Sequence, residues 1–182
     1  MGIRSVYVRN VHSQERTIKL ETKTSAVEFE ETKAAREKKE LTWKTLLTTP
    51  IWACEKIDKM FGSGGEAIIH YMWFEQGFKL FEQMLQNSPM KTKEELLKEL
   101  LDIQSQAGWG TITVTIVRHS ASTVELLVKN PPVKTLKGSQ KHLIGSFWAG
   151  IFSKYFNKQL VCKDFNYNAE KDEFSCLITS SS

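Results

Sequence analysis

Few residues of this sequence have the types and spacing that catalysis or cofactor binding requires. His70 lies within the apolar run AIIHYMWF, from which it can donate a hydrogen bond into a cavity or ligate a haem iron. His12, His119 and His142 have no triad-like or metal-like spacing, and GSGG lacks the Lys-Ser/Thr of a phosphate-binding loop. The sequence therefore favours a non-enzymatic protein without a cofactor, in which His70 is a histidine at the edge of the core with a backbone or water partner.

The cysteines offer a second possible chemistry. There are three, Cys54, Cys162 and Cys176, and an odd, sparse number argues against a secreted disulfide scaffold. Cys162 and Cys176 fall on two predicted strands that a hairpin can bring together. They are either buried thiols that act as small apolar side chains or partners in a disulfide.

Composition and charge exclude several classes of protein. The chain has 182 residues, 41% hydrophobic and 25% charged, with a net charge of +4. Basic and acidic residues are interleaved, as in EETKAAREKKE, which does not favour nucleic-acid binding. No segment has the ~20 apolar residues that span a bilayer, so no membrane insertion is predicted. The opening MGIRSVYVRN lacks a signal-peptide core, and we expect a cytoplasmic protein.

The first part of the chain carries weaker patterns. SVYVRNV and RTIKLE alternate as strands do and predict a hairpin. The stretch from Ser25 to Glu40 has the composition of a helix, but its apolar stripe is thin, so a helix and a mobile segment are both compatible with it. TTPIWACEKIDKMF predicts a short helix in which Thr49 is the N-cap, Pro50 the first residue, and Gly62 follows the end.

The next two segments predict longer helices. Ser63 and Glu66 have capping-box spacing at the start of SGGEAIIHYMWFEQGFKLFEQMLQ, and a helix N-terminus accounts for Glu66. Apolar residues widen its stripe so far that we expect burial on more than one side. Thr92 and Glu95 have the same spacing within KTKEELLKELLDIQSQ, which predicts an amphipathic helix. No general acid–base pair is predicted.

The remaining segments complete an α+β fold. TITVTIV and TVELLVK alternate as antiparallel strands, a helix is predicted from about Ser139 to Phe156, and QLVCKDFN and EFSCLIT predict a final hairpin. We expect helices packed on a twisted antiparallel sheet. Residues 1–48 are expected to be an N-terminal extension and residues 49–182 a single domain.

Several of these segments together resemble a known family. The glycine-started aromatic helix, GWG before paired strands, the AG of the following helix and the closing strand pair resemble the 4-vinyl-reductase-like domain over roughly Thr49 to Thr179. This small-molecule-binding domain is related to sensor domains of aromatic-responsive activators, to TRAPP tethering subunits and to haem-based nitric-oxide sensors. The resemblance implies a usually dimeric domain that encloses an apolar ligand cavity between helices and sheet. The Tyr, Ser and Arg signature of the haem sensors has no counterpart.

The resemblance also raises the question of a metal. Aromatic sensors of this family hold zinc near the C-terminus, and their ligand positions align with Lys141, Asp164, Tyr167 and Cys176 of this sequence. Lys141 and Tyr167 are not usual zinc ligands, and His142, next to the first position, leaves the set short even as a substitute. We therefore expect no metal.

The family resemblance implies that the two aromatic helices line a ligand site. Ligand sites are largely apolar, although aromatic residues at helical spacing also make ordinary cores. Gly145 and Ala149 are expected to admit a neighbouring helix, and the gap at Gly150 to face the cavity. The predicted ligand-binding residues are Tyr71, Phe74, Phe78, Trp109, Phe147, Trp148, Gly150 and Phe152.

Three functions are then compatible with the sequence. The first is binding of an apolar or aromatic small molecule, in a sensor or carrier role without an output domain in this chain. The second is an interaction subunit similar to the tethering subunits, with a vestigial or acyl-filled cavity and a protein partner. The third is an enzyme related to the vinyl reductases, which the lack of a cofactor motif disfavours. A homodimer is expected from the family resemblance together with an excess of apolar residues on two helices, because large exposed apolar patches are uncommon in monomers.

Overall fold

The computed structural model of the chain describes residues 8–10, 16–21, 51–118, 122–132, 134 and 138–180. These residues form one six-stranded sheet with helices packed on it, which confirms the predicted α+β class. All neighbouring strands are antiparallel, in the order β1-β2-β3-β4-β6-β5. The strands are β1 (Val8–Asn10), β2 (Arg16–Glu21), β3 (Thr111–Arg118), β4 (Thr123–Lys129), β5 (Leu160–Asn168) and β6 (Glu173–Ser180).

Four α-helices accompany the sheet in the described part of the chain. They are α1 (51–61), α2 (Ser63–Asn87), α3 (Lys93–Gln106) and α4 (His142–Phe156). A short 3₁₀ helix, Gly138–Lys141, leads into α4, so the helix predicted from Ser139 begins with a tighter turn. Thr49 and Pro50, the predicted start of α1, and the helix predicted from Ser25 to Glu40 lie outside the described residues.

The N-terminal strands extend the sheet. β1 and β2 pair as the predicted hairpin, with Val8 opposite Ile18. β2 also pairs with β3, with Ile18 opposite Ile116. The first strands thus continue the sheet built by the later ones, while the division of the chain at residue 48 stays a prediction.

One face of the sheet forms the base of the core. Successive side chains of a strand point to opposite faces, so alternating apolar residues give a sheet one buried face. The strand register aligns these residues in three rows across β3, β4 and β6, and each of the nine side chains is at least 95% buried. The rows are Ile116–Val124–Ile178, Val114–Leu126–Cys176 and Ile112–Val128–Phe174.

α4 is the central helix of the molecule. It packs on α2 on one side and on β5 and β6 on the other, and 12 of its 15 residues are buried. A β-carbon on Gly145 would lie 2.5 Å from Cε1 of Phe165 and 2.7 Å from Sγ of Cys162, so this glycine faces β5. A β-carbon on Gly150 would overlap the carbonyl oxygen of Phe74 on α2. The predicted roles of Gly145 and Gly150 are therefore wrong, because Gly150 is the helix-contact residue and Gly145 faces the sheet.

The helix starts match the sequence in part. The capping box at α3 is confirmed, since the Thr92 hydroxyl accepts from the Glu95 N–H at 3.2 Å and the Glu95 carboxylate accepts from the Thr92 N–H at 2.8 Å. The capping box predicted at α2 is wrong. Gly62 occupies its N-cap position with φ 54°, Ser63 is already helical, and no side chain caps the helix.

α2 is buried on one side only in the single chain. Its buried residues are Gly65, Ile69, Gly77 and Phe81, while Tyr71 is 65% exposed. The expectation of burial on more than one side is wrong for this chain, because α2 packs on α4 with one side while Ile68, Tyr71 and Met72 on its other side are exposed.

Candidate functional site

Aromatic side chains gather where α2, α4 and the start of β3 meet. The ring of Trp73 lies edge-on to Trp109, with centroids 5.7 Å apart, and to Phe147 at 6.2 Å. Phe147 is 6% exposed, whereas Trp73 and Trp109 are half-buried. We call these three residues the tryptophan cluster. Gly108 and Gly110, with φ 84° and 89°, place Trp109 between helix and strand.

The cluster continues inward along α4. Trp148 contacts Phe147 edge-on at 6.1 Å and Phe152 at 6.0 Å, and both Trp148 and Phe152 are almost completely buried. Trp148 and Phe152 therefore pack within the core, whereas Trp73 and Trp109, the half-buried members of the tryptophan cluster, lie at its edge.

A second aromatic pair lies further along α2. Phe74 and Phe78 stack with centroids 6.4 Å apart, and both are half-buried. The ammonium group of Lys154 lies 5.1 Å from the Phe78 ring centroid and accounts for part of its cover. Cations over an aromatic face are attracted by the ring quadrupole.

The structure does not bring all eight predicted ligand residues to one place. Tyr71 lies on the exposed side of α2, and the space beside Gly150 is occupied by the backbone of α2. The other six lie in or beside the aromatic core. Trp73, which the list of predicted ligand residues omits, joins Trp109 to Phe147.

A polar cluster at the start of α4 was missed from the sequence. The buried Ser146 hydroxyl lies 2.8 Å from Nδ1 of His70 and 3.1 Å from Nδ1 of His142. Nε2 of His142 lies 3.7 Å from Oε2 of Glu66, and the Lys141 ammonium lies 3.1 Å from the same oxygen. The partner of Nδ1 of His70 is thus a side-chain hydroxyl, where the sequence predicts a backbone or water partner.

The signal for this cluster was present in the sequence. Glu66 and His70 are four residues apart on one helix, and His142 and Ser146 are four apart on another. Residues at that spacing share a helix face, so each helix presents a polar pair among apolar neighbours. What the sequence did not reveal is that the two pairs face each other.

Burial keeps both imidazoles neutral. Desolvation lowers the pKa of His70. It also lowers the pKa of His142 to about 4, with further lowering by His70 and Lys141 that the Glu66 carboxylate offsets in part. The charged form of a histidine is disfavoured where water is excluded and a cation is near.

All three cysteines are free thiols. Burial raises the pKa of the Cys54 thiol, and burial with a hydrogen bond to Cys176 raises that of Cys162 well above its usual value. A thiol needs its thiolate form to act as a nucleophile, so Cys54 and Cys162 are poorly reactive. Among the described residues, no group of three or more His, Cys, Asp or Glu side chains is placed to hold a metal ion.

The fold and the aromatic core define an α+β domain of helices on an antiparallel sheet. The fold is similar to that of trafficking protein particle complex subunit 3 from Naegleria fowleri, solved covalently bound to palmitic acid. The TM-score is 0.51 with 11% sequence identity, and the match covers 79% of this chain and 97% of the other. No protein-family model and no curated protein matches the sequence. No helix in the described residues has the length and apolar character to cross a membrane.

Proposed function

We propose that this chain binds an apolar molecule of the fatty-acyl or small aromatic class, in a sensor or carrier role, as a 4-vinyl-reductase-like domain. The observation that carries the proposal is the similarity of its fold to nearly all of a chain that holds palmitic acid. The tryptophan cluster supports it, because Trp73 and Trp109 leave aromatic surface open at the edge of a closed core. Apolar surface with few polar groups suits such a ligand.

The binding we propose is non-covalent. Covalent attachment of an acyl chain requires a nucleophile, and a thiol reacts through its thiolate. Cys54 and Cys176 are buried in the core, and Cys162 lies against Gly145 with a raised pKa. A thioester on any of these three cysteines would require opening the core.

Thermal unfolding with and without palmitic acid tests the proposal. A ligand that binds the native state raises the melting temperature by mass action. We expect this rise in the wild type and its loss in Trp109→Ala. Trp52→Ala is the matched control, because Trp52 is 59% exposed on α1, outside the cluster.

Native and denaturing mass spectrometry of the same samples define the attachment. Palmitate that stays bound under native conditions and is lost on denaturation supports the proposal. If neither palmitate nor a small aromatic such as naphthalene shifts the wild-type melting temperature, the aromatic residues are core only and the proposal fails.

A second function is favoured by a separate observation. Ile68, Tyr71 and Met72 on α2 are 40%, 65% and 54% exposed, and we call them the outer face of α2. Exposed apolar surface of this kind marks interaction sites in other proteins. We propose that a second copy of this chain covers it, which makes the protein a homodimeric interaction subunit. A cytoplasmic location stays a prediction.

A further inference from the structure

Ser146 lies between two imidazoles and cannot treat them alike. Its hydroxyl oxygen is within hydrogen-bond distance of Nδ1 of both His70 and His142, whose ring centroids are 5.2 Å apart. A hydroxyl carries one proton, and a neutral imidazole has one N–H and one lone pair. The described residues offer the Ser146 hydroxyl no hydrogen-bond partner besides these two Nδ1 atoms. Ser146 therefore donates to one Nδ1 and accepts from the other.

Glu66 decides which histidine accepts. Its carboxylate lies 3.7 Å from Nε2 of His142 and favours a proton on that nitrogen. Nδ1 of His142 then has a free lone pair and accepts the Ser146 proton. His70 is left to donate its own Nδ1–H to the serine oxygen.

We propose that Ser146 holds His70 and His142 in opposite neutral tautomers, and that this arrangement is an acid-sensitive latch between α2 and the first turn of α4. The latch joins the two helices at a point separate from their close crossing at Gly77 and Gly150. It requires His142 to be neutral, because only the neutral ring can accept from Ser146.

Protonation of His142 removes the lone pair that accepts from Ser146 and places a positive charge in buried surroundings that disfavour it. The Ser146 oxygen then faces an N–H on both sides, and its own proton has no acceptor among the described residues. Around the ring, Lys141 and His70 disfavour a positive charge, Glu66 favours it, and Phe165 of β5 covers one side with its ring edge-on at 5.5 Å. Glu66 is already paired with Lys141. Cys162 of β5, which lies against Gly145, stays uncharged as a thiol because burial raises its pKa.

The direction of the pH effect follows from the pKa of His142. It falls to about 4 in the folded chain, below the value of 6.5 for a free histidine. As the pH falls, the unfolded chain binds the proton first. The contribution of neutral His142 to the free energy of unfolding is therefore fully present above about pH 6.5 and is lost as the pH falls toward about 4. His70, whose pKa is also lowered, acts in the same direction.

Histidine ¹⁵N NMR of the full chain at pH 7.5 tests the tautomers. We expect His142 with its proton on Nε2 and His70 with its proton on Nδ1, and the signals can be assigned by replacing each of the four histidines in turn. In Ser146→Ala we expect His70 to revert to the Nε2–H form that free histidine prefers. Finding both wild-type rings as Nε2–H would overturn the proposal.

Melting temperatures at pH 7 and pH 5 test the latch. His142→Asn keeps an acceptor near the Nδ1 position and does not titrate. We expect the wild-type melting temperature to fall by about 2–4 °C more than that of the variant between the two pH values. Equal falls, or titration of both wild-type histidines near 6.5 by NMR, would contradict it. The NMR titration decides even if the variant does not fold.

Discussion

The carbonyl oxygen of Phe74 lies so close to Gly150 that a β-carbon on the glycine would overlap it and would also lie 2.8 Å from the backbone nitrogen of Phe78. One turn away, a β-carbon on Gly77 would overlap the carbonyl oxygen of Phe147. Each helix thus offers a glycine to the backbone of the other. The two small residues set the distance between α2 and α4.

Gly150→Ala should therefore destabilise the protein. Overpacking typically costs about 1–3 kcal/mol, and backbone that cannot rotate away places this site at the upper end. Gly64→Ala is the matched control, since its β-carbon would meet only Cβ of Phe61 at 4.0 Å. Alanine there should be neutral or stabilise the protein by up to about 1 kcal/mol, because it reduces the conformational freedom of the unfolded chain. Chemical denaturation measures both, and a neutral Gly150→Ala would show that α2 and α4 separate at little cost.

This crossing also shows which features of the fold cannot be predicted from the sequence. The pattern GSFWAG predicted a helix with small residues for a close approach, and that helix is confirmed. The sequence does not predict which neighbour each glycine faces. Of the 15 residues of α4, 12 are buried, so the helix has no polar side from which its orientation could be deduced. The strands were better specified, since alternation with period two fixes which face is buried.

The same limit explains the polar cluster. Glu66 and His70 were visible as a polar pair on α2, and His142 and Ser146 on α4. Spacing along one helix says nothing about which residue of another helix lies opposite. Only the crossing at Gly77 and Gly150 fixes that register.

Tyr155→Phe should weaken the contact between α3 and α4. The Tyr155 hydroxyl donates to Oε1 of Glu94 at 2.6 Å, and the tyrosine is 4% exposed. Loss of a hydrogen bond to a charged group costs about 1.5–3 kcal/mol, and less where water reaches the carboxylate, so we expect about 1–2 kcal/mol.

Tyr167→Phe is the control for that variant. Its hydroxyl donates to Oδ1 of Asp172 at the same distance of 2.6 Å, but this bond joins the end of β5 to the turn that directly follows it. We expect a smaller loss of stability than in Tyr155→Phe, because this hydrogen bond joins residues already close in the chain and water can replace it. Urea unfolding of the two variants compares them, and equal losses would mean that burial of Tyr155 adds nothing.

Trp148→Ala should behave as a core truncation and not as a ligand-site change. Trp148 is 2% exposed and packs against Phe147 and Phe152. Such truncations cost about 3–5 kcal/mol. Trp109→Ala, at the half-buried edge, should cost clearly less. If thermal unfolding shows Trp148→Ala as stable as the wild type, space beside that side chain must already exist.

The outer face of α2 carries the last prediction. Ile68 and Met72 are four residues apart and Tyr71 lies between them, so the three side chains share one helix face. If a second copy covers this face, Tyr71→Glu together with Met72→Lys should convert a dimer into a monomer, because burying unpaired charges is costly. The free energy of unfolding of the single chain should change little, since the wild-type side chains are 65% and 54% exposed.

Met90→Lys is the control, because Met90 is 95% exposed and lies beyond the end of α2. Sedimentation velocity over a concentration series gives the result. A wild type that sediments as a monomer at every concentration, or a double variant that stays dimeric, would show that this face is not the interface.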